Sequence, residues 1–155
     1  LINLKLDLLY QFCNKFKDRP TIHVAGLNPH AGEEGLLGNE EVDFINQAIH
    51  HWKIKNPLAN LSGLISPDSC WISSAKAWRG NSTNPPDGIL ALYHDQGLIP
   101  VKIITLNYSV NTTIGLPIVR TSPDHGTGFD IAEKGIAQCQ SMVEAIKTAY
   151  DLLIN

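Results

Sequence analysis

Three short apolar runs between Leu90 and Arg120 each carry a polar side chain that could do chemistry. The first run ends in the tetrad HDQG at positions 94–97, the second contains Lys102, and the third ends in Arg120. Short apolar runs bounded by glycine and proline are typical of buried strands, and open α/β sheets bind ligands at strand ends. One imidazole and two cations would then converge on one place. The stretch therefore predicts a metal-assisted site for an anionic substrate.

A loop rich in proline and glycine, at positions 28–35, holds a second imidazole, that of His30. The loop follows an apolar run at positions 21–27, which we interpret as a buried strand. It also carries the carboxylates of Glu33 and Glu34. A histidine in such a loop is more often exposed to solvent than bound to a metal, so the pattern alone makes His30 only a candidate.

Asp68 follows a predicted short strand at positions 61–65, and two interpretations of it are open. The carboxylate could cap the helix predicted to hold Trp71 and Trp78, because aspartate is a favoured N-cap residue. Alternatively it could face the same pocket as the two histidines. The residues alone favour the cap.

The segment RTSPDHGTG at positions 120–128 consists largely of small residues, which let a ligand approach the backbone closely. Backbone N–H groups of such a loop could hold a phosphate or pyrophosphate. The segment lacks the G-x-G-x-x-G spacing of Rossmann dinucleotide sites. That type of nucleotide site is therefore not predicted.

The bulk composition excludes several classes of partner. The chain of 155 residues has a formal net charge of -3 and no basic run, so nucleic-acid binding is not predicted. Its apolar runs are far shorter than the roughly 20 residues of a membrane-spanning helix. The cysteines at positions 13, 70 and 139 form no CxxC pair, which favours inert thiols in a reducing cytoplasm. We expect a cytoplasmic protein the size of one domain, without a membrane partner.

The helices and strands that must position these side chains alternate along the chain. Amphipathic spacing predicts helices over positions 1–16, 39–52 and 71–78, and a last helix opening with the capping box SMVE at positions 141–144. A further helical turn is predicted at positions 129–132. The alternation predicts an α/β fold with a mostly parallel sheet.

Four segments together resemble the 4-hydroxythreonine-4-phosphate dehydrogenases, the PdxA family of pyridoxal 5'-phosphate biosynthesis. They are VAGLNPHAGE at 24–33, LYHDQG at 92–97, NTTIGLP at 111–117 and RTSPDHGT at 120–127. Their order and approximate spacing match too, and the similarity spans nearly the whole chain. The resemblance implies an isocitrate/isopropylmalate dehydrogenase-like fold and a homodimer. It also implies oxidation of 4-phosphooxy-L-threonine by NAD or NADP, with loss of CO2 to give 3-amino-2-oxopropyl phosphate.

The resemblance further implies roles for individual residues. It implies a divalent metal ion (Zn, Mg or Co) bound by His30, Asp68 and His94, which reverses the preference for a cap at Asp68. The catalytic side chains would be His94, Asp68 and Lys102. The phosphorylated substrate would be bound by Lys102, Asn111 and Arg120. The segment expected to lie against the cofactor consists of Asp124, His125, Gly126 and Thr127.

Two positions depart from the family pattern. Glu34 stands where the family usually has glycine, which adds charge near the metal-binding loop. The sequence TLNYS at positions 105–109 replaces a typically glycine-rich turn.

The chain starts at Leu1 and its only methionine is Met142, so we expect a piece of a longer protein. Under the resemblance it is the C-terminal half of a family member. Positions from 1 to about 110 would form the metal, substrate and dimerisation part, and positions from about 111 to 155 would cross back to the cofactor domain. A third metal-binding histidine and a His-Thr pair would lie upstream, so the chain alone would have an incomplete metal shell.

Three other functions compete with this expectation. A related branch of the family would oxidise another four-carbon phosphorylated hydroxy acid, such as a threonate or erythronate phosphate. The chain as given could instead be a non-catalytic fragment or a metal-binding interaction module. A metal-dependent hydrolase is a weaker competitor, since two histidines and an aspartate could also activate water.

Overall fold

Three parallel strands organise the first of the two units into which the chain divides, Leu1–Pro100 and Val101–Asn155. The computed structural model describes residues 1–81 and 84–154. The strands are β1 (Thr21–Ala25), β2 (Asn60–Ile65) and β3 (Gly88–Leu90), in the order β2-β1-β3. Ala25 of β1 pairs with Ile65 of β2, and Val24 of β1 pairs with Leu90 of β3. All three strands therefore end at the same edge of the sheet.

Helices flank this sheet, and their apolar spacing explains why. They are α1 (Ile2–Asn14), α2 (Asn46–Lys55), which continues from a π-helical turn at Glu41–Ile45, and α3 (Ile72–Trp78). α1 packs against β3 and α2 against β2. Burial of apolar side chains of α1 and α2 stabilises the unit, and the core cluster consists of Leu6, Cys13, Ile22, Val24, Ile45, Ile49, Trp52 and Leu61. These helices and strands confirm the sequence prediction.

The second apolar run of the central stretch was predicted as a buried strand, and that prediction is wrong. The run lies in α4 (His94–Thr105), and the boundary between the two units falls within this helix. Pro100 lies inside the helix, where it removes one backbone N–H. His94 accordingly begins a helix instead of ending a strand.

The second unit contains an antiparallel hairpin and one long helix. β4 (Val110–Thr113) pairs with β5 (Arg120–Pro123), so Arg120 opens a strand, whereas the sequence predicted that it ends one.

The predicted turn near position 129 is a 3-10 turn at Phe129–Ile131. The helix α5 (Gln140–Ile154) confirms the predicted last helix, but the prediction that Ser141 caps it is wrong, because the helix already begins at Gln140. The Oγ atom of Ser141 lies inside the helix and accepts a hydrogen bond from the N–H of Asp124.

The observed class is α/β with a parallel sheet flanked by helices, as predicted. Within the described ranges, no helix combines the length and the apolar character that crossing a bilayer requires.

Candidate active site

The shared edge of the parallel sheet places His30 and Asp68 beside one cleft. β1 leads into the loop that carries His30, and β2 leads into the turn that carries Asp68, so the pairing of these strands brings the two turns together. The cleft has a volume of about 430 Å³ and is lined by Leu27, Pro29, His30, Pro67, Asp68 and Gln96. An imidazole and a carboxylate at one cleft are donors that a divalent cation accepts.

Asp68 lies outside the helix that follows it, which argues against its interpretation as a cap. α3 begins at Ile72, and the residue at its N-cap position is Trp71. The Ser66 hydroxyl donates to Asp68 Oδ1 and holds the pKa of this carboxyl below its ordinary value, and the charge of His30 acts in the same direction. Asp68 is therefore an ionised carboxylate near neutral pH, the state in which a carboxylate binds a metal.

His94, the third predicted ligand, follows β3 at the same edge of the sheet. Its side chain is 75% exposed, and its Nδ1 atom lies 2.8 Å from Oδ1 of Asp95. Among residues 1–81 and 84–154, no group of three His, Cys, Asp or Glu side chains is gathered closely enough to hold a metal ion. The structure thus places His30 and Asp68 at one cleft and does not join His94 to them in a three-donor group.

Gln96 connects the His30 and His94 segments, a role that sequence reasoning missed. Its Nε2 atom donates to the carbonyl oxygens of Gly26 at 3.0 Å and Leu27 at 2.9 Å. These carbonyls lie just ahead of the His30 loop, while Gln96 lies two residues beyond His94. The only signal in the sequence was its place in the HDQG tetrad.

The loop that carries His30 has an unusual backbone. Residues 30–34 all have left-handed φ and ψ angles, for example φ 51° and ψ 27° at His30. Only Gly32 in this run adopts such angles without a steric penalty. The left-handed conformation costs roughly 1–2 kcal/mol for each other residue, so surrounding contacts must hold the loop in place.

Asn28 and Glu41 provide such contacts. The backbone N–H of Asn28 donates to Oε1 of Glu41 at 2.7 Å, and its Nδ2 donates to Oε2 of Glu41 at 2.8 Å. The same Nδ2 donates to Oε2 of Glu40 at 2.6 Å. Glu41 is only 1% exposed. Burial acts to raise the pKa of Glu41, but the hydrogen bonds from Asn28 outweigh it and the pKa lies below its ordinary value.

Glu40 and Glu41 are adjacent carboxylates in the first turn of the helix that the sequence predicts over positions 39–52. Negative charge in the first turn of a helix interacts favourably with the helix dipole, and nothing in the local pattern distinguishes the two. Their difference comes from the chain folding back, which buries Glu41 under the His30 loop.

The residues predicted to bind substrate lie in the second unit. Nζ of Lys102 donates to the carbonyl oxygen of Asp124 at 2.9 Å and lies 3.6 Å from its Oδ2. Ser109 donates to the same Oδ2 at 2.7 Å. Asp124, which was predicted to lie against the cofactor, thus contacts the Lys102 ammonium directly.

Asn111 and Arg120 lie on one face of the hairpin. Thr113 is paired with Arg120 and Asn111 with Ser122, and side chains two residues apart on a strand point to the same side. Nη1 of Arg120 donates to Oγ1 of Thr113 at 2.9 Å. The guanidinium is exposed, and the amide of Asn111 lies diagonally across from it.

The predicted cofactor segment continues beyond β5 as an exposed loop. His125, Gly126 and Thr127 are all exposed, and Nδ1 of His125 lies 2.8 Å from the carbonyl oxygen of Gly126. Their role toward a cofactor stays a prediction.

Both departures from the family pattern contain a residue with a left-handed backbone. Glu34 has φ 58°, and Leu106, in the turn that replaces a glycine-rich one, has φ 44°. Glycine is the residue that adopts these angles most readily. The backbone therefore suits the glycines that the resemblance implies at these places, although this chain has other residues there.

The sequence of this chain is similar to that of one protein family over nearly its whole length. A sequence model of the family described as "Pyridoxal phosphate biosynthetic protein PdxA" matches residues 1–149. A 4-hydroxythreonine-4-phosphate dehydrogenase from Synechococcus sp. (strain RCC307) is 50% identical over 150 residues, which are 96% of this chain and 46% of that relative. The chain thus spans about half the length of the curated relatives that it matches.

Solved structures show the same similarity. The 4-hydroxythreonine-4-phosphate dehydrogenase of Klebsiella pneumoniae has a TM-score of 0.78 and 39% identity, covering 96% of this chain and 42% of its own. A terephthalate 1,2-cis-dihydrodiol dehydrogenase from Burkholderia xenovorans LB400 has a TM-score of 0.66 and 28% identity, covering 96% and 44% of the two chains.

Proposed function

This chain belongs to the PdxA family, and on that premise we propose that the complete gene product is a 4-hydroxythreonine-4-phosphate dehydrogenase. The reaction is the oxidation of 4-phosphooxy-L-threonine by NAD or NADP, followed by decarboxylation to 3-amino-2-oxopropyl phosphate. The observation that carries the proposal is the 50% identity with the Synechococcus dehydrogenase across 96% of this chain.

Lys102 and Arg120 supply the positive charge that such a substrate needs. The side chain of Lys102 is 51% exposed, so its ammonium remains open to a ligand while it contacts Asp124. Arg120 presents a planar guanidinium, which can bind two oxygens of a phosphate or carboxylate at once. Asn111, on the same hairpin face, adds an amide that can donate to a substrate hydroxyl or accept from its ammonium.

His30 and Asp68 are the residues that would hold a divalent metal ion such as zinc, magnesium or cobalt, together with His94. When bound, such an ion polarises the hydroxyl that is oxidised. The lowered pKa of Asp68 keeps this donor charged. His94 and its partner Asp95 begin α4, which gives the imidazole a helical support.

The cofactor and the assembly follow the family resemblance. The loop Asp124–Thr127 would lie against NAD or NADP, and the protein would be a homodimer. In this proposal the first 110 or so positions serve metal, substrate and dimer, and the remainder crosses back to the cofactor domain while adding Asn111 and Arg120 to the substrate contacts.

One observation leaves a second substrate class open. The Burkholderia xenovorans relative shares 28% identity and the fold with this chain, yet it is named for a different dehydrogenation. The same scaffold therefore serves more than one substrate. Threonate or erythronate phosphate, which lack the amino group, are the alternatives that the same cations would bind.

The test is a substrate panel on the complete gene product, with absorbance of reduced cofactor at 340 nm as readout. We expect turnover of 4-phosphooxy-L-threonine, its loss with EDTA and its recovery with added zinc, magnesium or cobalt. Preferential turnover of threonate or erythronate phosphate would establish the second substrate class instead. Absence of cofactor reduction with every acid would contradict a dehydrogenase.

A further inference from the structure

Glu41 contacts the His30 loop at its entry. Both of its carboxylate oxygens accept hydrogen bonds from Asn28, one from the backbone N–H at 2.7 Å and one from the side-chain amide at 2.8 Å. Asn28 is extended, with φ -91° and ψ 159°, and the left-handed run begins two residues later at His30. The carboxylate therefore fixes the residue from which the turn starts.

Glu41 also lies against the middle of the same loop. A Cβ atom added at Gly32 would lie 2.7 Å from Oε2 of Glu41, closer than a real Cβ can approach. A Cβ atom at Gly38 would lie 2.2 Å from Nδ2 of Asn28. His30 is thus flanked by two residues, Asn28 and Gly32, that both rest on one buried carboxylate.

We propose that Glu41 is the positioning residue for His30: it holds the left-handed turn so that the imidazole stays at the cleft shared with Asp68. The inference rests on the metal-binding role given to His30 under the proposed function. Glu41 itself does not touch the cleft, which Leu27, Pro29, His30, Pro67, Asp68 and Gln96 line. It acts through the backbone of the loop.

A purely structural role of Glu41 in its own helix makes a different prediction. In that case the loss of Glu41 would lower stability without changing how tightly the folded protein binds metal through His30. Glu40 offers a matched control, because it is the neighbouring carboxylate and reaches Asn28 through a single hydrogen bond.

The experiment measures Co²⁺ affinity of the metal-free complete gene product by titration, for the wild type, E41Q, E40Q, H30A and the double variant H30A/E41Q. E41Q keeps the shape of the side chain but places an amide donor against the N–H donors of Asn28. We expect E41Q to weaken Co²⁺ binding about tenfold, the effect typical of residues that orient a metal ligand. E40Q should change it by less than about threefold.

The double variant shows whether Glu41 affects Co²⁺ binding through His30. If Glu41 acts through His30, E41Q should add nothing once His30 is alanine. Amide hydrogen exchange of residues 28–35 in the metal-free protein gives a second readout, and E41Q should speed it while E40Q leaves it nearly unchanged. Should E41Q not fold, N28A tests the same contact, because it removes the side-chain bonds and keeps the backbone one; it should weaken Co²⁺ binding and speed exchange in the same direction.

The outcomes distinguish a failure of the proposed metal-binding role of His30 from a failure of the inference about Glu41. If H30A leaves Co²⁺ affinity unchanged, the metal role of His30 fails and the inference fails with it. If H30A weakens binding while E41Q does not, or if E41Q weakens binding equally in the H30A background, the inference alone is overturned.

Discussion

The two units hold their functional residues in different ways. In Leu1–Pro100 a packed cluster of buried apolar side chains supports the sheet whose edge carries His30 and Asp68. In Val101–Asn155 the buried residues, among those the structure describes, are Ser141 and Ala145. Lys102 and Arg120 accordingly stand on a helix and a hairpin with little core beneath them. The comparison indicates that the strands leading to His30 and Asp68 rest on a packed core, whereas the elements that carry Lys102 and Arg120 do not.

The largest expected difference between the units is in the effect of truncating an isoleucine. Ile49 of α2 is 4% exposed and Ile146 of α5 is 64% exposed. Ile49→Ala should lower the free energy of unfolding by about 2–5 kcal/mol, because it leaves a cavity in the core. Ile146→Ala should cost less than about 1 kcal/mol. Urea unfolding measures both, and equal losses would contradict the difference in packing.

Removal of the cations in the second unit should have the next largest effect. Arg120→Ala or Lys102→Ala should lose about 2 kcal/mol of substrate binding, which corresponds to a roughly thirtyfold rise in KM for the phosphorylated substrate. KM for the unphosphorylated analogue should change little. Thr113→Val, which removes only the hydroxyl that accepts a hydrogen bond from Arg120, should raise KM for the phosphorylated substrate less. Equal effects on both substrates would argue against a phosphate role.

Asp87 makes the stability of the first unit sensitive to acid. It accepts hydrogen bonds from Nζ of Lys17 and from the N–H of Thr21, both at 2.8 Å. Burial acts to raise the pKa of Asp87, but these bonds outweigh it and the pKa lies below its ordinary value. A lowered folded pKa gives stability that is present above the unfolded pKa of about 3.9 and is lost as pH falls through the folded value.

We therefore expect Asp87→Asn to cost about 1 kcal/mol at pH 7 and to flatten the loss of stability at and below about pH 4. Thermal unfolding from pH 7 to pH 2.5 measures this. Lys17→Gln should reproduce part of the change, because it removes one of the two donors. An unaltered pH profile in Asp87→Asn would refute the assignment.

The smallest effect, and one of opposite sign, is expected from a glycine at position 34. Glu34→Gly should raise the free energy of unfolding by roughly 0.5–1 kcal/mol, since relief of the left-handed backbone exceeds the entropy cost of glycine. Leu106→Gly applies the same test to the second unit. Gln47→Gly, within α2, should instead cost about 1 kcal/mol. A loss in Glu34→Gly as large as in Gln47→Gly would show that the loop is not strained at this residue.

Much of the fold could be predicted because the residue pattern of most segments favours the helix or strand that they form. The strand at positions 21–25 and the helix α2 follow clear apolar patterns that agree with the burial of Ile22, Val24, Ile49 and Trp52. The apolar face predicted for the last helix is instead exposed at Ile146 and Tyr150. α4 could not be predicted in this way. A short apolar run cannot be assigned to strand or helix by periodicity alone, and Pro100 suggested a boundary where the helix in fact continues.

The site was predictable only in outline. That His30 and Asp68 lie at strand ends followed from the sequence, but their meeting depends on the pairing of Ala25 with Ile65, which joins distant parts of the chain. The roles of Gln96 and Glu41 depend on contacts across 70 and 13 residues. Such contacts leave no periodic pattern for sequence reasoning to use.

The central place of β1 has a consequence for synthesis on the ribosome. β1 is translated before both of its neighbours in the sheet, so it emerges with two open edges. The first edge can close once Ile65 is made and the second only once Leu90 is made, roughly one to five seconds later at ordinary translation rates. During that interval an apolar strand with one unpaired edge is exposed to other nascent chains. Codon choice between positions 65 and 90 would therefore influence how much newly made protein aggregates.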